Sequence, residues 1–430
     1  MSAHAPPAGP ACDWADPRAD HRPPHRLAIV ALHPVQYQVG MWRVMAEHPR
    51  LDVRVFYLDR MGTDGTVDRT LDVELKWDLP MLEGYPYEFV SNWSPMRFTP
   101  FVSRINPRLF PRLLQEPFDA VMVHGYQALS NWVALASAKL RNIPVIYRGE
   151  GSVLGNEPPM GGLARARRLS HELNRHFLRA CRHVAYSSAD NRAFQLLRGA
   201  RREALFSMPC AVDNEMIDRL AEEVADQPRL RVRFDLHAEA VIILTAGRFS
   251  PGKRFEDAIM AVARVAAEGY DVHLFIAGNG PVGSELPLKR TIEAHDVRDR
   301  VHFLGWLSPA ELVSAMSGAD LFVMSSRVDR SPKAMSEALV MGLPVISSDR
   351  VGTARELVRE GENGYVYACG DVDALAASIT RLAADGDARR AMGAASRRLA
   401  ARHDFNAATE ALVSVLDELP PEERPWRPKR

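Results

Sequence analysis

Cysteine is scarce in this chain, and what there is lies scattered. The four residues are Cys12, Cys181, Cys210 and Cys369, and none of them forms a C-x-x-C pair. Structural zinc sites and disulfide-stabilised secreted domains both need cysteines at close, regular spacing, so the sequence argues against both. This usage favours a protein of the reducing cytoplasm.

The chain also lacks long hydrophobic runs and a net charge. Nowhere do 18 consecutive apolar residues occur, so no membrane-spanning helix is predicted. Lys plus Arg and Asp plus Glu both number 54, which gives no support for nucleic-acid binding. Residues 1–26 hold six prolines and no signal-peptide core, so we expect a disordered extension there.

What the sequence does contain is an alternation of short apolar runs with longer helical patterns. The predicted strands are 27–32, 51–58, 120–124, 144–147, 183–187, 240–246, 272–277, 301–304, 321–324 and 344–347. Several are apolar throughout, which is typical of parallel strands buried on both faces. Because 430 residues exceed one ordinary core, we predict an α/β fold of two Rossmann-like parallel-sheet domains facing each other across a cleft.

The expected organisation has five parts. They are a disordered extension 1–26, a first Rossmann-like domain 27–212, a linker 213–236, a second Rossmann-like domain 237–403, and a C-terminal helix with a mobile tail 404–430.

A glycine turn after strand 272–277 raises the possibility of a dinucleotide enzyme. Gly278, Gly280 and Gly283 fit G-x-G-x-x-G. That motif should open the first βαβ unit of its domain, and an acidic residue should end the following strand. Here it belongs to the second crossover, and the following strand leads into Gly305 and Trp306. NAD binding is therefore rejected, although the turn still lets a ligand approach main-chain amides.

Two further loops at this edge of the sheet carry charge. Arg248 and Lys253 follow Gly247 between a strand and a helix, and both can reach one diphosphate. Two ordinary surface cations are an equally good interpretation of that loop. Further on, Asp329 precedes a helix expected to begin at Pro332, and Glu337 lies over a turn into that helix, whose first amides would be free to bind an anion or sugar oxygens. The alternative is a loop acid and a surface helix residue.

Together these stretches resemble the retaining family 4 glycosyltransferases of the GT-B fold, of the bacterial surface-polysaccharide type. The resemblance is carried by "AGRFSPGKRFEDAI", "LFIAGNGP", "SEALVMGLPVISSD" and "ENGYVYACGDVDALAASI", over residues 240 to about 415. It runs more weakly through residues 27–213. It implies that the second domain binds the nucleotide-sugar donor and the first domain the acceptor.

The resemblance also implies roles for individual residues. Arg248 and Lys253 would hold the diphosphate, Glu337 would accept the ribose hydroxyls, and Asp329 would contact the donor sugar. Further donor contacts would come from Gly247, Gly278, Gly305, Trp306, Ser331, Pro332, Lys333 and Ala334. Two departures stand out: Asp329 replaces the usual Glu, and the first loop, "HPVQYQVG", lacks the paired glycines that many members have.

In the first domain, polar residues follow two predicted strands. His124 closes one, and Arg148 and Glu150 follow the next. Carboxyl ends of strands that face a cleft are good places for catalytic groups, so His124 and Glu150 are candidates to orient the acceptor. A His satisfied by the backbone and a local pairing of Arg148 with Glu150 are the alternatives.

The implied activity is retaining transfer of a hexose-type sugar to a sugar, lipid-linked or small-molecule acceptor. No cofactor and no metal is expected, because two cations face the diphosphate and no Asp-x-Asp pair stands at a suitable strand end. A nucleotide-sugar epimerase of the same fold and a catalytically degenerate sugar-binding protein remain alternatives.

Residues 163–183 form a basic amphipathic pattern. One helical stripe is predicted from Leu169, Leu173, Phe177 and Ala180. Arginines surround it. Weak contact of this helix with the inner face of an anionic membrane is one hypothesis, and an ordinary domain helix is the alternative.

Overall fold

The computed structural model describes residues 23–61, 63, 67–68, 73–74, 80–95, 101–154, 164–209 and 211–419. The expected disordered extension up to residue 22 and the expected mobile tail from residue 420 lie outside the described residues.

Strands and helices alternate along these residues. The strands are β1 (His25–Ala31), β2 (Leu51–Tyr57), β3 (Val67–Asp68), β4 (Val73–Glu74), β5 (Tyr87–Phe89), β6 (Ala120–His124), β7 (Val145–Arg148), β8 (His183–Tyr186), β9 (Leu205–Ser207), β10 (Val241–Ala246), β11 (Val272–Ala277), β12 (Val301–Gly305), β13 (Leu321–Met324), β14 (Val345–Ser348) and β15 (Gly364–Tyr367). The helices are α1 (Gln36–Glu47), α2 (Leu109–Gln115), α3 (Leu129–Leu140), α4 (Ala164–Ala180), α5 (Ala189–Leu197), α6 (Asn214–Glu223), α7 (Leu230–Arg233), α8 (Phe255–Ala267), α9 (Leu286–Ala294), α10 (Pro309–Ser317), α11 (Lys333–Val340), α12 (Ala354–Leu357), α13 (Val372–Ala384), α14 (Gly386–Ala400) and α15 (Phe405–Asp417).

Two parallel sheets organise the chain, as predicted. The first has the order β5-β2-β1-β6-β7-β8-β9 and the second β12-β11-β10-β13-β14-β15. All neighbouring strands within each are parallel, and only the short β3-β4 pair among the described strands is antiparallel. Central strands such as β10 and β11 are buried along their whole length because helices cover both faces. The two-domain α/β prediction is confirmed.

Sequence reasoning missed the edge strands β5, β9 and β15. Each has three or four residues and is only partly buried. An edge strand has one side open to solvent, so it shows no continuous apolar run to predict it from.

Residues 213–236, expected to be a linker, take part in the second domain. They contain α6 and α7, and Ile217, Val224 and Leu230 are buried in its core. At the other end, β1 begins at His25, inside the segment expected to be an extension.

The last described helix, α15, crosses back onto the first domain. Phe405, Leu412 and Leu416 are buried in the same cluster as the apolar face of α1 and β1. Asp417 at the end of α15 accepts from Arg50 at 2.6 Å and lies 2.7 Å from His25 Nε2. The crossing helix is therefore fixed by apolar burial along its length and by a charge cluster at its end.

Gly40 has a packing role at this junction. A Cβ at Gly40 would lie 2.6 Å from the ring of Phe405, far inside ordinary contact distance. Gly40 lets α1 and α15 approach closely, so this glycine serves the packing of the two helices.

The stripe predicted on α4 is wrong at one position. Phe177 is fully buried, but Leu173 is 41% exposed, and the neighbouring buried positions are Asn174 and Leu178. The buried face is therefore rotated relative to the predicted stripe, and Leu173 lies on the basic face.

Candidate active site

Three glycines lie side by side where β10, β11 and β12 end. The amide of Gly247 donates to the carbonyl of Ala277 at 2.9 Å, and that of Gly278 donates to the carbonyl of Gly305 at 2.7 Å. Gly278 has φ +138°, and a Cβ there would lie 1.9 Å from the carbonyl oxygen of Gly247. Gly278 is therefore required for the close approach of the two strand ends. At Gly305, with φ +73°, nothing lies within 4 Å of where a Cβ would be, so this edge of the second sheet presents bare backbone.

An ion pair lies at the same edge. Lys253, from the β10–α8 loop, binds the carboxylate of Asp329, from the β13–α11 loop. Their side chains are 20% and 15% exposed, so the pair is partly shielded from water. The sequence predicted both residues at a donor site, and the fold brings them into direct contact. Although Asp329 is shorter than Glu, it reaches the ammonium.

Hydrogen bonds from Ser325, directly after β13, fix the loop that carries Lys253. Ser325 Oγ donates to the carbonyls of Lys253 and Arg254 at 3.0 and 2.8 Å. Arg254, at φ +49°, precedes α8 and forms two hydrogen bonds with Asp257. The loop is therefore anchored at its end, while Arg248 lies exposed at its start.

The helix α11, which follows the loop of Asp329, carries two further charged side chains. It begins at Lys333, with Pro332 as its N-cap, one residue later than predicted. Burial raises the pKa of Glu337 to about 7, and the nearby ammonium of Lys333 opposes that shift. Glu337 is thus a carboxyl that changes charge near neutral pH.

Lys333 also reaches across to the first domain. Its ammonium lies 5.1 Å from the ring centroid of Tyr37, which follows β1. A cation over an aromatic face is attracted to it, so this contact joins the two sheet edges across the cleft.

His124 and Arg148 are neighbours at the carboxyl edge of the first sheet. They pair in register at the ends of β6 and β7. The imidazole is buried. Its ring centroid lies 5.0 Å from that of Trp42 in an edge-to-face arrangement, and its Nδ1 lies 3.5 Å from the Gln38 amide. Burial, followed by the charge of Arg148, lowers the pKa of His124 well below its ordinary value. The imidazole is therefore neutral at neutral pH.

Residues 226–399 match the family model described as glycosyl transferases group 1. The second domain is a group 1 glycosyltransferase domain. Alpha-D-kanosaminyltransferase of Streptomyces kanamyceticus is 30% identical over 200 residues, which are 46% of this chain and 51% of that protein. The lipopolysaccharide core biosynthesis glycosyltransferase LpsE of Rhizobium meliloti is 29% identical over 191 residues, 44% of this chain and 54% of its own. The chain thus spans about half the length of these relatives.

Solved structures extend the likeness to both domains. Anabaena HepE in complex with UDP superimposes with a TM-score of 0.67 at 16% identity, covering 92% of this chain and all of that one. Sucrose-phosphate synthase from Thermosynechococcus elongatus gives 0.65 at 18% identity, covering 92% and 98%. These likenesses confirm the predicted GT-B fold.

Sequence reasoning missed several residues around the candidate active site. Tyr37 and Gln38 follow β1 and Ser325 follows β13, all at carboxyl ends of strands where polar groups are expected. Their partners lie in distant segments, so no local pattern predicts the contacts themselves. Glu150 and Trp306 lie exposed at the two edges, the latter at 45%.

Within the described parts of the chain, His, Cys, Asp and Glu side chains form no group of three that could hold a metal ion. No helix in those parts combines the length and apolar character needed to cross a membrane.

Proposed function

We propose that this protein is a retaining glycosyltransferase of polysaccharide or glycoconjugate synthesis. It moves a hexose-type sugar from a nucleoside diphosphate sugar to an acceptor hydroxyl. Its domain family, the kanosaminyl and lipopolysaccharide-core transferases among its relatives, and the UDP-bound HepE structure of the same fold support the proposal.

The observation that carries the proposal is the Lys253–Asp329 pair beside the bare backbone of Gly247 and Gly278. A diphosphate entering over the glycines would compete with Asp329 for the ammonium, since phosphate binds such cations strongly. The carboxylate released in this exchange would accept hydrogen bonds from sugar hydroxyls. The ion pair therefore keeps both groups in place until the donor arrives.

In the proposed reaction the bond from the anomeric carbon to the leaving phosphate oxygen breaks. The acceptor oxygen bonds to the same face of that carbon, and its proton passes to a leaving phosphate oxygen. Lys253 and Arg248 stabilise the negative charge that develops on the diphosphate, so no metal is required. Glu337 accepts hydrogen bonds from the ribose hydroxyls. His124, whose imidazole is neutral, and Glu150 orient the acceptor.

We further propose that the protein works at the cytoplasmic face of an anionic membrane. A cavity of about 480 Å³ on the first domain is lined by Arg175 and Arg179 of α4 and by residues 196–201. Beside it Leu173 and Leu197 are 41% and 66% exposed. Arginines next to exposed leucines suit a surface of anionic headgroups and acyl chains.

Thermal unfolding with UDP-, GDP-, ADP- and TDP-sugars tests the donor class, with NAD(H) and NADP(H) as controls. A ligand at 100 times its Kd stabilises by about 2.7 kcal/mol. We expect one nucleotide-sugar class to stabilise the protein; stabilisation by NAD(H) or NADP(H) alone would contradict the proposal.

Substitution of Lys253 tests the role of the ion pair. With the stabilising donor, Lys253→Ala is expected to slow release of the nucleoside diphosphate at least about 100-fold while weakening donor binding much less. Lys289→Ala, on the exposed face of α9, removes an equal charge and should leave the rate unchanged. Turnover of the sugar without any acceptor would favour an epimerase, and binding without turnover a sugar-binding protein.

A further inference from the structure

The first turn of α5 contacts both halves of the molecule. Ser188 caps the helix by accepting from the amide of Asn191 at 3.1 Å. Ser188 and Asn191 are 4% and 2% exposed, so the turn is fixed in the first domain. Neither residue belongs to the candidate active site, yet the turn lies between two of its loops.

On one side, the turn holds the loop that carries Glu150. The Asn191 amide group donates to the carbonyls of Gly149 and Gly151 at 2.9 and 2.5 Å. Gln195, one helical turn later, donates to Gly149 at 3.2 Å. The backbone on both sides of Glu150 therefore depends on the position of α5.

On the other side, the turn contacts the second domain. The backbone amide of Ala189 donates to the carboxylate of Glu356 in α12. The carboxylate of Asp190 lies beside Gly352, 3.2 Å from where a Cβ would be. The amide of Gly352 in turn donates to the carbonyl of Asp329 at 2.7 Å. One short segment, residues 352–356, thus contacts both the first turn of α5 and the backbone of Asp329.

The contact of Glu356 has a clear physical basis. Its carboxylate lies at the amino end of α5, where unpaired amides and the helix dipole favour negative charge. Among the described residues, its second oxygen and both oxygens of Asp190 have no hydrogen-bond partner. The hydrogen bond between Ala189 and Glu356 therefore joins the two domains at this turn.

We propose that Glu356 is a positioning residue that couples the Asp329 loop to the Glu150 loop through the first turn of α5. The assignment of these loops to donor and acceptor rests on the proposed function. The coupling itself is a property of the fold. When the Glu356–Ala189 contact forms, both loops are fixed relative to each other.

Hydrogen exchange on the full-length protein tests the coupling without any substrate. Glu356→Ala removes the acceptor, whereas Glu356→Gln keeps a carbonyl oxygen that can still accept from Ala189. We expect Glu356→Ala to speed exchange about fivefold to tenfold in peptides covering 148–152, 186–191 and 350–353. Glu356→Gln should stay within about twofold of the wild type.

A matched control is available in α10. Glu311 accepts from the amide of Ser308 at 2.8 Å, so Glu311→Ala removes the same kind of contact within one domain. It should affect only peptides near residue 308. Should Glu356→Ala fail to fold, Glu356→Asp, which is too short to reach Ala189, must give the same pattern.

The proposal is overturned if Glu356→Ala changes exchange only near residues 189 and 356, or nowhere. This readout needs no donor or acceptor, so its failure is distinct from a failure of the proposed function. A parallel titration with the nucleoside diphosphate of the stabilising donor adds the functional link: Glu356→Ala should weaken its binding severalfold, and Glu356→Gln should restore it.

Discussion

The half-buried carboxyl of Glu337 should make the stability of the protein depend on pH in an unusual direction. Its pKa of about 7 in the folded protein exceeds the ordinary value of 4.5. Between these values the folded state binds more protons at this site than the unfolded state does. Stability contributed by this group is therefore present below about pH 4.5 and is lost as the pH rises through 7.

The size of the effect follows from the shift. A carboxyl with this shift destabilises the folded protein by up to about 3 kcal/mol at pH 8 relative to pH 4.5. Glu337→Gln removes the titration but keeps the shape. The free energy of unfolding from urea titration, measured between pH 5 and 8, should thus rise with pH for the variant relative to the wild type.

The difference between the two proteins isolates Glu337 from other titrating groups. His124, whose pKa is lowered, contributes equally to both curves and cancels. Glu239→Gln, at an exposed position, is the matched control. Its free energy of unfolding should change with pH in parallel with that of the wild type. If the curve of Glu337→Gln is also parallel within about 0.5 kcal/mol, the reasoning about burial is refuted.

Two further predictions concern the glycine edge and the arginine cavity. Gly278→Ala should lower the free energy of unfolding by about 3 kcal/mol or more, because residue 278 has a positive φ and its new Cβ would clash with a backbone carbonyl. Gly269→Ala, at φ +94° with open space around it, should cost only about 1–2 kcal/mol in the same denaturation assay, and equal costs would contradict the steric argument. In liposome pelleting, the protein should bind anionic but not neutral vesicles, more weakly at 0.5 M salt. Arg179→Glu should reduce this binding and Arg298→Glu, on the second domain, should not; no binding at low salt would contradict the membrane proposal.

Much of the fold could be predicted from the sequence because its central strands are buried on both faces. The runs at 120–124, 272–277 and 321–324 coincide with β6, β11 and β13. Such strands need uninterrupted apolar residues, and parallel pairing needs a helix between them. Both requirements leave a pattern in the amino-acid sequence.

The site was predictable to a smaller degree. Lys253 and Asp329 were found because both follow a strand at its carboxyl end, where loops of a parallel sheet meet. Their ion pair, and the contact of Lys333 with Tyr37, depend on how distant loops and two domains approach each other. No local pattern carries that information.

The crossing helix α15 also sets an order of events during synthesis. The first domain begins at residue 25, yet Phe405, Leu412 and Leu416 complete its core. A ribosome that has made the whole first sheet has therefore produced a domain with an open apolar face around Trp42 and Met45. That face stays uncovered until nearly the entire chain has emerged, so chains that end before α15 expose it, and such surfaces aggregate.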